Sequence, residues 1–284
     1  YILKLILIFV KKFLLKLLIL ILKISLVFNS HKSTNMSCCK NINTACYKLH
    51  FSCLEKLIKK SNKYINKINE LGLTPLNVLL ISHSYKLTDE NFYKHDLYKS
   101  LVLLLENGAD PNYTGYRVYS PLILAIAESR LDLVKLLLKF RADPSKIGFD
   151  PNHKIMGQPS LPSIANTPLS EAITWHGYSM TSDKGTFLGK KRRIRFNIIK
   201  TLLEAGADPN LTIHHDKPYR ETQFEQLLEY PSKKEAIIDL FIKHGADMNT
   251  KLTFVRSEIC DPSPFLYLVQ CNEVGCVKAF IDNG

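Results

Sequence analysis

Residues 103–112 read LLLENGADPN, and close variants return at 202–210 as LLEAGADPN and at 241–249 as FIKHGADMN. In each, a leucine-rich or apolar run ends in Gly, the residue that takes left-handed backbone at least cost, and an Asp-containing turn follows. The phrase is a helix stop. Counted from Gly108, the equivalent position recurs at Arg141, Gly206, Gly245 and Gly284, at spacings of 33, 65, 39 and 39 residues. A repeat of about 33 residues, interrupted by insertions, therefore underlies the chain.

A second phrase fixes the register. Thr74-Pro75-Leu76, Ser120-Pro121-Leu122, Thr167-Pro168-Leu169 and Ser263-Pro264-Phe265 each set a hydroxyl N-cap before Pro at the first helical position. Ser120 precedes Arg141 by 21 residues, and Ser263 precedes Gly284 by the same distance. About 20 residues between start and stop hold two short helices, with Ser129-Arg130 breaking the apolar pattern between LILAIA and LDLVKLLL. This pairing of phrases resembles the ankyrin repeat, whose T-P-L-H-x-A opens the first helix and whose G-A-D-x-N closes the second. The resemblance spans roughly residues 36–284. It implies an all-α solenoid of stacked helix-turn-helix units with finger-like loops, working as a protein-interaction module without catalysis or cofactor.

Departures from the pattern carry their own expectations. The motif's His is replaced by Asn77, Ile123, Ser170 and Leu266, so its hydrogen bonds are expected to be absent or made differently. Arg141 stands where Gly is expected and must take left-handed backbone. Thr222-Gln223-Phe224 replaces T-P-L in the fourth repeat, which reads as the weakest. The spacings predict inserted loops at 82–95 and 178–195, and a further insertion between Arg141 and Thr167. Residues 36–72 read as a degenerate leading repeat with Asn62 in the Gly position, and residues 73–284 as the clear repeats. The last stop phrase breaks off at Gly284, which predicts that a longer chain continues beyond it.

The formal net charge is +12, but residues 1–35 hold six lysines and no acid, leaving +6 on the rest. Five of those six charges lie in one run, Lys190, Lys191, Arg192, Arg193 and Arg195. The repeat body is thus nearly neutral and is not a general phosphate binder. The run itself reads either as the solvated end of an insertion or as a nuclear-import signal or a patch for acidic partners or nucleic acid, which would make the protein nuclear or nucleic-acid-associated.

The opening YILKLILIFVKKFLLKLLILILKISLVF is apolar, yet lysines at 4, 11, 12, 16 and 23 oppose a conventional membrane span. A cationic helix lying on a membrane through residues 1–30 stays open. So does a second reading: the segment starts with Tyr, precedes the first Met at 36, and is written in residues that A/T-rich codons specify, so residues 1–35 are expected to be foreign to the native protein. The same usage, with decayed repeats, resembles ankyrin proteins of large DNA viruses and intracellular bacteria.

Chemistry is sparsely signalled. Seven cysteines favour a reducing compartment, so the chain is expected in the cytosol, of a host cell in the viral or bacterial case, with the nucleus or a membrane surface as alternatives. Cys46, His50 and Cys53 would share the face of one continuous helix, but the repeat register puts a turn among them and Cys46 in the core, so no metal site is assigned. His214-His215-Asp216 reads as a solvated turn, because adjacent side chains in extended backbone diverge. The candidate partner-binding residues are Tyr116, Arg117, Tyr119, Glu128, Trp175, Tyr219 and Arg220. Tyr, Trp and Arg are the types enriched at binding hot spots, and the family's fingers and first-helix face form its concave binding surface.

Overall fold

A computed structural model of the chain describes residues 39–83, 95–115, 118–147, 167–180, 186–213, 221–228, 234–252 and 263–283. The N-terminal segment, most of the insertion at 82–95, the insertion between Arg141 and Thr167, and the His214-His215-Asp216 turn lie outside them. The chain divides into two compact units, Tyr1–Ala109 and Asp110–Gly284.

In the first unit, α1 (Ile42–Lys48) pairs with α2 (Phe51–Lys60), and α3 (Pro75–Ser82) with α4 (Asp96–Glu106). First helices pack on first helices, α1 on α3, and second on second, α2 on α4. Leu54, Leu73, Leu76, Leu79, Leu97, Leu101 and Leu104 fill the space between and are almost wholly buried. Each such leucine contributes about 1.5–3 kcal/mol of transfer free energy, so the stacking of amphipathic faces is the main source of stability.

The second unit repeats the plan. It holds α5 (Pro121–Ala127) with α6 (Leu131–Lys139), α7 (Pro168–Met180) with α8 (Thr186–Glu204), α9 (Gln223–Leu228) with α10 (Glu235–Lys243), and α11 (Pro264–Gln270) with α12 (Val274–Asp282). The first helices α5, α7, α9 and α11 form one layer and the second helices α6, α8, α10 and α12 another. Phe224 stacks on Phe241 at 6.0 Å and on Phe280 at 6.1 Å between ring centroids, tying the last two repeats together.

The recurring phrases do the same work each time. After second helices, Gly108, Gly206 and Gly245 take φ of 89°, 89° and 87°, and Arg141 takes 66°. The amides that follow close the helix in the same way: Ala109 to Leu104 O, Ala142 to Leu137 O, Ala207 to Leu202 O and Ala246 to Phe241 O, all at 2.9–3.0 Å. Between helices a second left-handed residue recurs at Leu49, Ser129 and Asn272, each two positions before the next helix.

The Asp and Asn of the stop phrase form a ladder between repeats. Asp110 and Asp208 each accept the amide of their own Asn at 2.8 Å. Asn112 donates to Arg141 O at 2.9 Å and accepts from Asp143 N at 2.7 Å, and Asn210 does the same to Gly245 O and Asp247 N at 2.8 Å. In the first unit Asn66 donates to Gly108 O at 2.9 Å. Ser145 stands in the Asn position and keeps half the arrangement, accepting from Asp208 N at 3.0 Å.

Helix starts show how the lost His is replaced. Asn77 accepts from the Thr74 hydroxyl, while Ser170 and Thr167 exchange bonds at 2.9 and 3.0 Å, so two of the four positions make the bonds differently. The fourth repeat compensates for its missing Pro with a capping box: Glu225 N donates to Thr222 Oγ1 at 3.1 Å and Thr222 N to Glu225 Oε2 at 2.6 Å.

The structure differs from the sequence reading at 178–195, where a loop was expected. Helix α7 has 13 residues against seven in α5, and α8 has 19 against nine in α6, so most of the insertion is added helical turns. The basic run therefore lies inside α8 rather than in a loop.

Candidate partner-binding surface

Two fingers of the second unit are anchored by antiparallel pairing. Gly115 pairs with Val118, Val118 N donating to Gly115 O at 3.0 Å, immediately before the Ser120 cap of α5. Strands β1 (Thr212–Ile213) and β2 (Glu221–Thr222) pair Thr212 with Thr222 and Ile213 with Glu221, immediately before α9. Each finger thus runs straight into the start of a first helix. Tyr116, Arg117, Tyr219 and Arg220 lie outside the described residues. Trp175 is the first residue by which α7 outruns the length of α5, so it marks the opposite end of the first-helix layer from the fingers.

Tyr119 and Glu128 fall into a polar cluster that the sequence reading did not assemble. Tyr119 is half-buried at the foot of the first finger; burial, with the Glu171 carboxylate adding to it, pushes its phenol up to about 12. Glu171, in the first turn of α7, is itself buried. Glu128 closes the C-terminal end of α5. Arg195, only 3% exposed, reaches from α8 to donate from Nη2 to Ala127 O at 3.0 Å. Burial lowers its guanidinium to about 10, while the Glu171 and Glu128 carboxylates act in the opposite direction and help hold the charge. A cation this deep is tolerated because it is hydrogen-bonded and faces carboxylates.

This placement takes Arg195 out of the surface run to which the sequence assigned it. Its spacing to Ile198, Ile199 and Leu202, all buried, is the i, i+3, i+4, i+7 pattern of a core-facing helical stripe. Arg193 is exposed, and Lys190, Lys191 and Arg192 lie on the same helix, α8. The cluster continues to the next repeat, where Gln226 of α9 donates to Thr174 Oγ1 at 2.9 Å. Glu171 and Gln226 were legible only as polar letters in first-helix positions; no motif marks them.

Cys46 is fully buried in α1, and the turn at Leu49-His50 separates it from α2, as the register requires. Burial raises its thiol far above the ordinary range, with Cys39 adding to the effect. Among the described residues, no helix is long and apolar enough to cross a membrane.

Stacked helix pairs, stop phrases that ladder from repeat to repeat and paired fingers define one known architecture. The family model for the ankyrin repeat matches residues 119–148, the unit made by α5 and α6. The chain has the ankyrin-repeat fold. Among solved structures it is similar to an ankyrin-repeat domain from Acinetobacter baumannii AYE, at 17% identity with a TM-score of 0.57, covering 86% of this chain and 97% of that one. It is also similar to the ankyrin-repeat protein EF0377, at 17% identity with a TM-score of 0.54 and the same coverage. No curated protein matches. Ankyrin repeats generally act as non-catalytic scaffolds for binding other proteins.

Proposed function

We propose that the chain is a non-catalytic adaptor whose protein partner docks across the first-helix layer of the second unit, between the fingers and the extended turns of α7 and α8. The observation that carries this reading is the framing of that layer. Paired fingers stand at the start of α5 and α9, and the α7–α8 extension, with Trp175 at its base, stands at the other end. Tyr116, Arg117, Tyr119, Trp175, Tyr219 and Arg220 are the side chains assigned to contact, with Glu128 and Tyr119 tied to the polar cluster that stiffens the floor. We place the protein in the cytosol, where its cysteines stay reduced. Nuclear or nucleic-acid association through Lys190–Arg193 is the weaker alternative, because burial of Arg195 removes one of five cations from the run. A membrane-surface anchor would reside in residues 1–30.

Proximity labelling in the native host identifies the partner, and titration then tests the surface. Changing Tyr116 and Arg117 together to Ala should weaken binding by about 1–4 kcal/mol with an unchanged melting transition. Unchanged affinity in a folded double variant would remove the fingers from the binding surface. Loss of affinity on changing Lys190–Arg193 to Glu, with the finger variant neutral, would favour an acidic partner at the α8 extension.

A further inference from the structure

We propose that Cys39, His50 and Cys53 form a thiolate–imidazole site for a zinc-class divalent ion at the first helix pair, revising the sequence reading that assigned no metal. One ligand atom from each of the three lies within 4.8 Å of the other two. A tetrahedral zinc centre, with metal–sulfur bonds near 2.3 Å and metal–nitrogen bonds near 2.0–2.1 Å, sets its ligand atoms roughly 3.5–3.8 Å apart. The gap left to close is about 1 Å, and His50, exposed at the inter-helix turn, has the freedom to swing.

The backbone around the trio is already fixed. Asn41 Oδ1 caps α1 by accepting from Thr44 N at 2.8 Å, holding the chain two residues beyond Cys39. His50 N donates to Ala45 O at 3.0 Å, and His50 O accepts from Cys53 N at 3.1 Å and Leu54 N at 3.0 Å. The His and Cys are thereby set three residues apart on one helical turn, the spacing that brings side chains onto a common face. A single helix through residues 46–53 would present Cys46, His50 and Cys53 together, whereas the turn at residue 49 discards Cys46 and brings in Cys39.

The chemistry matches the burial. Cys39 is 8% and Cys53 4% exposed, so an uncompensated thiolate at either position is costly. Two thiolates neutralise a dication, and the assembled centre buries no net charge. Sulfur and imidazole donors select zinc over magnesium or calcium. The exposed imidazole leaves a path for entry, and three protein ligands leave a fourth position for water. The other cluster of suitable side chains among the described residues, Glu235, Glu273 and Cys276, lacks this match, because the Lys234 ammonium already lies 4.0 Å from Glu273.

The test uses the full chain, reduced with a phosphine and titrated with Zn2+ and with Co2+ as the spectroscopic probe. The expected result is one tightly held zinc per chain and a thiolate-to-cobalt absorption band. Cys39→Ser with Cys53→Ser should abolish both, and Cys276→Ser should change neither. His50→Ala, an exposed position whose variant should keep its helix content by circular dichroism, should weaken binding at least about tenfold. Should the double serine variant not fold, His50→Ala still decides, together with alkylation of Cys39 and Cys53 mapped by mass spectrometry in the unaltered chain. Zinc should slow alkylation at those two positions. Absence of the cobalt band, metal content unaffected by the serine changes, or a Cys39–Cys53 disulfide in place of metal would overturn the proposal.

Discussion

Replacing Arg141 by Gly should stabilise the protein. Arg141 is held at φ 66° as the residue that closes α6, the position that Gly fills in three other repeats. An L-residue pays roughly 1–2 kcal/mol for left-handed backbone, and Gly returns about 0.5–1 kcal/mol of this through its freer unfolded state. The difference is a gain of up to about 1 kcal/mol. Little opposes it: the side chain is exposed, and the bonds from Arg141 N to Leu138 O at 3.0 Å and from Asn112 Nδ2 to Arg141 O at 2.9 Å use only the main-chain groups of residue 141, which the variant keeps. Packing against the surroundings does not set the preference, since a Cβ added at Gly108, Gly206 or Gly245 meets nothing within 4 Å beyond its own chain neighbours. Urea denaturation should show a higher midpoint at unchanged slope, and 1 kcal/mol would raise Tm by about 2–4 °C. Gly206→Ala should move the midpoint the other way by a similar amount. A loss of stability in Arg141→Gly would refute the assignment of a strained C-cap and the register built on it.

Three further outcomes follow from individual contacts. Ser145→Asn should add about 0.5–1.5 kcal/mol by restoring the amide donor toward Gly206 O that Asn112 and Asn210 supply in their repeats, read from the same urea midpoint. Tyr119 should titrate near pH 12 rather than at its ordinary 10.0, so that the folded chain keeps a proton the unfolded chain releases between those values. The resulting stabilisation is complete below pH 10 and lost as pH rises through 12, and the late phenolate step in the ultraviolet spectrum should vanish in Tyr119→Phe. Arg195→Ala should cost about 3–5 kcal/mol in the urea midpoint, because it leaves the buried Glu171 facing no guanidinium.

The repeat plan was legible because its signals are local. A hydroxyl and Pro start a helix and Gly stops one wherever they stand, so Thr74, Ser120 and Ser263 and the three stop glycines carry the register unaided. Arg141 was legible by position despite its identity. What escaped were features that depend on what an element packs against. The run from Lys190 to Arg195 looked like loop because it is densely charged. Yet Lys and Arg are good helix formers, and Ile194 and Ile198 continue a helical period through it. Arg195 looked like surface because it follows four cations, while its spacing to Ile198, Ile199 and Leu202 had already put it on the buried face. The capping box of Thr222 and Glu225 is written in the sequence as T-x-x-E, without the Pro that marks the other helix starts. Of the candidate surface, the position of the fingers ahead of the first helices follows from the register, whereas the helical extension that begins at Trp175 and the Glu171 and Gln226 contacts do not.

The most direct measurement of the binding account is an amide hydrogen-exchange footprint of the full chain with and without its captured partner. Added protection is expected at residues 113–119 and 212–222 and along the extensions of α7 and α8, with the outward faces of α6, α10 and α12 unchanged. Protection confined to those second helices, with the fingers exchanging as in the isolated chain, would contradict it.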